Sequence, residues 1–156
     1  MKPLLLLDVD GVLNPFPDCP KGFREYDWFP EDDEPVRLAE AHRAWIHELR
    51  TECDLVWASG WGTDANRLLS PHFGLPQLPL VEFPPVPFEA RAKVPAIDAF
   101  AAERAVAWVD DMLTPEAHAW ASARPFPTLL VDVDSSAGLG RKHVDLLLDW
   151  ARTRAA

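Results

Sequence analysis

The strongest constraint on this chain is a short apolar run that ends in acids, Leu4-Leu5-Leu6-Leu7 followed by Asp8-Val9-Asp10-Gly11. Consecutive apolar residues without alternation mark a strand covered on both faces, the situation inside a parallel sheet. The two carboxylates then lie at the carboxyl end of that strand, where open parallel sheets bind ligands. Further strands are expected at Cys53 to Ala58, Leu78 to Phe83, Ala105 to Val109 and Thr128 to Val133. Helical patterns alternate with them. The first is expected to open at Pro35, with Asp33 and Glu34 at its positive end and Leu38, Ala41, Trp45 and Leu49 along one face. Others start near Thr63 or Asp64, cover about Ile97 to Glu103, and open at Thr114-Pro115-Glu116 with a good cap. The last runs from about Leu139 to Ala151, with Val144, Leu147, Leu148 and Ala151 facing inward.

This order predicts a three-layer α/β/α Rossmann-like sandwich with about five mostly parallel strands. A chain of 156 residues suits one domain, 1–156. Its 48% hydrophobic content and seven Trp suit a packed globule. From Asn14 to Pro35 the texture turns to Pro, Gly, aromatics and acids without a period. That stretch reads as a surface flap, about 14–35, too short for a separate cap. Pro76 to Pro95 carries six prolines and is expected to be mostly irregular or edge-like.

Composition narrows the partners. Twenty-five Asp plus Glu against 15 Lys plus Arg gives a net charge of −10. Such a field repels polyanions, so stable non-specific nucleic-acid binding is not expected, although a bound cation reverses the sign locally. Cys19 and Cys53 are far apart and form no C-x-x-C, which reads as two reduced thiols of a cytoplasmic protein. The run Leu4 to Leu7 is too short for a signal core or a membrane span, so no membrane partner is expected. Nothing in the sequence sets an oligomeric state.

The predicted strand ends carry the chemistry: Asp8 and Asp10, Ser59, and Asp110 with Asp111. Carboxylates converging on one crevice repel each other, and a hard divalent cation relieves that strain. An all-oxygen donor set selects Mg²⁺, whose remaining positions go to water and substrate phosphate. A carboxylate can attack phosphorus to give an aspartyl-phosphate, and another two residues on can move the protons. Ser59 could hydrogen-bond a phosphoryl oxygen, and a lysine could neutralise its charge. Trp61 could stack on a base but is read as pocket wall. The second D-V-D, Asp132 to Asp134, lacks the Gly and apolar pair that follow the first and is treated as coincidence. Trp57 and Trp108 are read as core, and His42 and His47 as residues of a surface helix. No histidine is spaced as a metal ligand.

Asp8-Val9-Asp10-Gly11-Val12-Leu13 resembles the first motif of the haloacid dehalogenase (HAD) superfamily. The resemblance implies a phosphohydrolase with Asp8 as nucleophile and Asp10 as general acid/base, the Asp10 backbone carbonyl also on the metal. Ser59 matches the second motif. Asp110-Asp111 resembles the fourth, completing a Mg²⁺ site with Asp8 and Asp10; which of the pair touches the metal stays open. Lys93 is the best-placed basic residue for the third motif, with Arg91, Arg141 and Lys142 as substitutes. Ser59, Gly60, Trp61 and Lys93 would border the substrate phosphate. Asp8 to Pro15, Trp57-Ala58-Ser59-Gly60-Trp61, Trp108 to Asp111, and Gly138-Leu139 with His143 are closer still to the small, capless HAD domains associated with Swiss Army Knife RNA repair proteins. That implies an open site for a phosphorylated substrate, a small molecule or a nucleic-acid end. A small-metabolite or nucleotide phosphatase is the alternative within the enzyme class. A non-catalytic HAD-fold binding protein is the alternative outside it.

Overall fold

The computed structural model describes residues 1–84 and 89–155. Its main sheet has the order β4 (Asp54–Trp57), β1 (Leu4–Leu7), β5 (Val106–Asp110), β6 (Thr128–Asp132), and all three pairings are parallel. The strand that opens the argument is therefore central. Alternate residues of β1 point to opposite faces, and each face has its own core. Leu5 and Leu7 pack into one that includes Ile46 and Leu49 of α1 (Ala41–Glu52) and Val144, Leu147, Leu148 and Ala151 of α5 (Arg141–Ala155). Leu4 and Leu6 pack into the other, with Ile97 of α3 (Lys93–Ala101) and Ala117 of α4 (Pro115–Ala123). Three layers follow from one leucine run, because neither face of the sheet can be left in water. Thr114 caps α4 as expected, its hydroxyl accepting from the Ala117 N–H at 3.2 Å.

Three expectations are corrected. The segment expected to start a helix at Pro35 is instead strand β3 (Val36–Ala39), antiparallel to β2 (Phe23–Tyr26), so the flap ends in a two-stranded hairpin. The first helix begins at Ala41, and its buried face is His42, Ile46 and Leu49, while Ala41 is exposed. Asn14 and Arg37 explain the displacement: the Arg37 N–H donates to Asn14 Oδ1 at 2.8 Å, and the buried guanidinium donates to Glu25 and Glu34. These bonds hold β3 extended across the mouth of the sheet.

The third expected strand, Leu78 to Phe83, shrinks to one parallel bridge between Trp57 and Leu80. Pro79 and Pro84 have no N–H to donate to a ladder, so pairing stops after the bonds from Trp57 N to Pro79 O and from Val81 N to Trp57 O. The Asn66 side chain takes the place of further ladder contacts, bonding both the N–H and the C=O of Leu78. Asn66 sits in a π-helical turn, Ala65–Leu69, which continues into the short helix α2 (Ser70–His72). Part of the proline-rich stretch, 85–88, lies outside the described residues. The helix expected over about Ile97 to Glu103 starts earlier, and its first residue is Lys93.

Candidate active site

Asp8 follows β1 directly, and its N–H still donates to the Val109 carbonyl of β5 at 3.1 Å. Asp110 closes β5, so the two carboxylates lie side by side at adjacent strand ends. With Asp111 they form a group in which one carboxylate oxygen from each lies within 4.8 Å of the others. Gly11 lets Asp111 approach: its φ of +82° favours glycine, and a Cβ there would overlap the Asp111 carboxylate. Lys93 enters from the first turn of α3. Its Nζ donates to Asp110 Oδ2 at 2.7 Å and stands 3.4 Å from Asp8 Oδ1. Asp110 also accepts from the Trp108 indole N–H at 3.2 Å and from the Met112 N–H at 2.9 Å. Asp8, Lys93 and Asp110 are all buried.

Burial and the neighbouring Asp110 push the Asp8 carboxyl well above its ordinary range, with Lys93 opposing them. Burial, then Asp110, raises Asp111 as well. Burial alone would lower the Lys93 ammonium, but Asp8 and Asp110 outweigh it and the net direction is up. One lysine thus compensates only part of the charge of three clustered acids. A hard divalent cation would relieve the remainder. Asp8, Asp110 and Asp111 are able to hold one.

Asp10 behaves differently. The chain turns tightly after Val9, whose carbonyl accepts from the N–H groups of Leu13 and Asn14, and this leaves Asp10 exposed. Its Oδ1 accepts from Asn14 Nδ2 and from the Trp61 indole N–H, both at 3.0 Å. The side chain is thereby clamped beside the buried acids, and Asp10 is not among the three grouped carboxylates. Ser59 is buried just past β4; its Oγ accepts from the Trp61 N–H at 3.2 Å and keeps a hydrogen to donate. Asp8, Asp10, Ser59, Gly60, Trp61, Lys93, Asp110 and Asp111 all border one cavity of about 290 Å³. A second cavity, of about 580 Å³, adjoins it at Asp10, Gly60 and Trp61 and runs under the flap.

Asp8, Asp10, Ser59, Gly60, Trp61, Lys93, Asp110 and Asp111 are therefore brought to one cleft, whereas of the substitutes for Lys93, Arg91 pairs with Glu89 and Arg141 with Glu48 and Asp145. Lys93 is not a solvated loop residue but a buried partner of two acids. Two contributors escaped the sequence reading. Asn14 orients Asp10, and its position four residues on within a turn was the available signal. Trp108, read as core, also bonds Asp110; residues i and i+2 of a strand share a face, so Trp-x-Asp could have shown it. His42 is buried rather than on a surface helix, with Nε2 2.8 Å from the Leu139 carbonyl. His143 is a helix-start residue, its Nδ1 accepting from the Gly140 N–H at 2.9 Å. The second D-V-D ends in a turn, where Asp134 Oδ1 accepts from the Ser136 N–H at 2.9 Å.

A parallel α/β sheet that delivers clustered carboxylates, a lysine and a hydroxyl to adjacent strand ends defines a HAD-type phosphohydrolase core without a cap domain. The chain belongs to that superfamily: residues 4–144 match the model of the HAD domain in Swiss Army Knife RNA repair proteins. No curated protein and no solved structure gives a significant match.

Proposed function

We propose that this HAD phosphohydrolase cleaves phosphomonoesters in two steps on Asp8. The Asp8 carboxylate attacks phosphorus, and the P–O bond to the leaving group breaks as Asp10 gives that oxygen a proton. Asp10 then takes a proton from water, which attacks the aspartyl-phosphate, releasing inorganic phosphate and restoring Asp8. Ser59 donates to a phosphoryl oxygen, and Lys93 balances charge between Asp8 and Asp110. Bound at Asp8, Asp110 and Asp111, with the Asp10 carbonyl as a further donor, Mg²⁺ would neutralise charge on the carboxylates and the phosphoryl group.

The observation that carries this reading is the meeting of Asp8, Asp110, Asp111 and Lys93 at neighbouring strand ends. The clamp on Asp10 supports its role as proton carrier. With Oδ1 engaged by two N–H donors, Oδ2 would be the oxygen that exchanges the proton with the substrate. The family's link to RNA repair proteins makes a phosphorylated RNA end one candidate substrate. Acids around the larger cavity favour a nucleotide or small metabolite instead. With Mg²⁺ present, an aryl phosphate, mononucleotides, and 3′- and 5′-phosphorylated oligonucleotides should include at least one that is turned over. Asp8→Asn should lower kcat on the order of 10³-fold or more while keeping the circular dichroism spectrum. Unchanged turnover in that variant overturns the nucleophile assignment.

A further inference from the structure

The larger cavity begins at Asp10, the group that would protonate the departing oxygen, so a leaving group held there would adjoin the reaction centre. We propose that it is a leaving-group site for one nucleoside-sized aromatic group that carries no second phosphate; this rests on the phosphomonoesterase reading. Three features point that way. A cavity of about 580 Å³ has the size of a small-molecule site, and the hairpin and Trp61 bound it on either side. Its apolar lining includes three aromatic rings, Phe16, Phe29 and Trp61, beside Pro15, Pro17, Pro35 and Val36. Phe29 and Trp61 meet edge to face with centroids 5.4 Å apart, and Phe16, 43% exposed, stands on the rim shared with the smaller cavity. Rings of this kind accept a base face of any sequence.

The third feature is charge. Asp32, Glu34 and Asp64 border the cavity, Asp64 accepting from Arg67 at 3.0 Å, and the one cationic side chain lining it among the described residues is Arg37. The Arg37 side chain is only 8% exposed and already bonded to Glu25 at 3.2 Å and Glu34 at 3.1 Å. A second phosphate entering this cavity would therefore meet carboxylates and an engaged guanidinium. A neutral aromatic group meets neither penalty. A strand end fits only if its neighbouring phosphates turn away into solvent.

The test compares kcat/KM for the full chain with Mg²⁺ on four esters: 5′-AMP, 3′-AMP, adenosine 3′,5′-bisphosphate and glycerol phosphate. The better mononucleotide should exceed both of the others by about tenfold or more, and added salt should narrow the gap to the bisphosphate. Phe29→Ala should raise KM for the mononucleotide about tenfold and so narrow its advantage over glycerol phosphate, whereas Asp32→Lys should improve the bisphosphate. The wild-type comparison needs no variant to fold. Equal rates on mononucleotide and glycerol phosphate, or preference for the bisphosphate or a phosphorylated oligonucleotide, would overturn the leaving-group site alone. No turnover of any ester, an aryl phosphate included, would overturn the phosphatase reading beneath it.

Discussion

The two walls of the cleft are built by opposite means. On the sheet side, Asp8 and Asp110 are 5% and 1% exposed and stand on paired parallel strands, held by Lys93, Trp108 and backbone N–H groups. On the flap side, a two-stranded hairpin carries exposed acids and half-buried rings, anchored chiefly through Arg37 and Asn14. Charge acts differently on the two sides. Near the sheet, low dielectric magnifies every interaction, so three clustered acids are held against a lysine, and burial with Asp110 raises the Asp8 and Asp111 carboxyls. At the flap, solvent screens the exposed acids, which can line a cavity without distorting the fold.

The largest effect should come from breaking the buried network on the sheet side. Lys93→Met leaves Asp8 and Asp110 without their cation, and metal-free stability should fall by about 3–5 kcal/mol in urea unfolding. A loss no greater than that of an exposed lysine would mean that the two walls do not differ in this way. Next, Trp61→Phe keeps a ring at the junction of the walls but removes one of the two donors to Asp10. The expected result is a fall in kcat of about tenfold, roughly one charge-assisted hydrogen bond, with a displaced basic or acidic limb in the pH–rate profile. A change confined to KM would make Trp61 wall alone.

Asp111→Asn should act in the unusual direction. Burial and Asp110 raise the Asp111 carboxyl, so ionising it in the fold costs stability as pH rises above the ordinary carboxylate range. The metal-free variant should therefore melt higher than the parent at pH 7, by a few tenths to about 1 kcal/mol after screening. Its stabilisation by added Mg²⁺ should shrink, since one of the three grouped carboxylates is gone. The smallest effect tests the flap side. His42, whose ring packs edge to face with Phe23 of the hairpin, is lowered by burial. A histidine lowered in the fold contributes stability that is full above about pH 6.5 and lost as pH falls through its folded value. Melting temperature should drop in that acid window, and less so in His42→Gln. Part of the drop should persist, because burial lowers His72 and His143 too.

Much of the catalytic wall was legible because its signals are local. Leu4 to Leu7 had to be a doubly covered strand, and an acid directly after it had to sit at a ligand-binding edge. Lys93 was legible only as a residue type in roughly the right place. Its burial depends on α3 starting at that residue and aiming it across to β1 and β5. The hairpin was misread because Pro35 and two acids look like a helix start. What decided otherwise was the pull of Asn14 and Glu25 on Arg37, contacts formed across more than ten residues of chain.

Local pattern was enough for the layered parallel fold, the central strand and the acids and hydroxyl at its carboxyl edge, since periodicity and strand-end position are properties of neighbouring residues. Tertiary structure alone decided three things. Asp10 stands apart from the three grouped acids, clamped by Trp61 and Asn14; the third strand is cut to a single bridge by prolines; and an aromatic, acid-lined cavity opens beside the reaction centre. Each depends on side chains distant in sequence meeting in space, where hydrogen-bond geometry and burial choose among conformations that local pattern leaves equal.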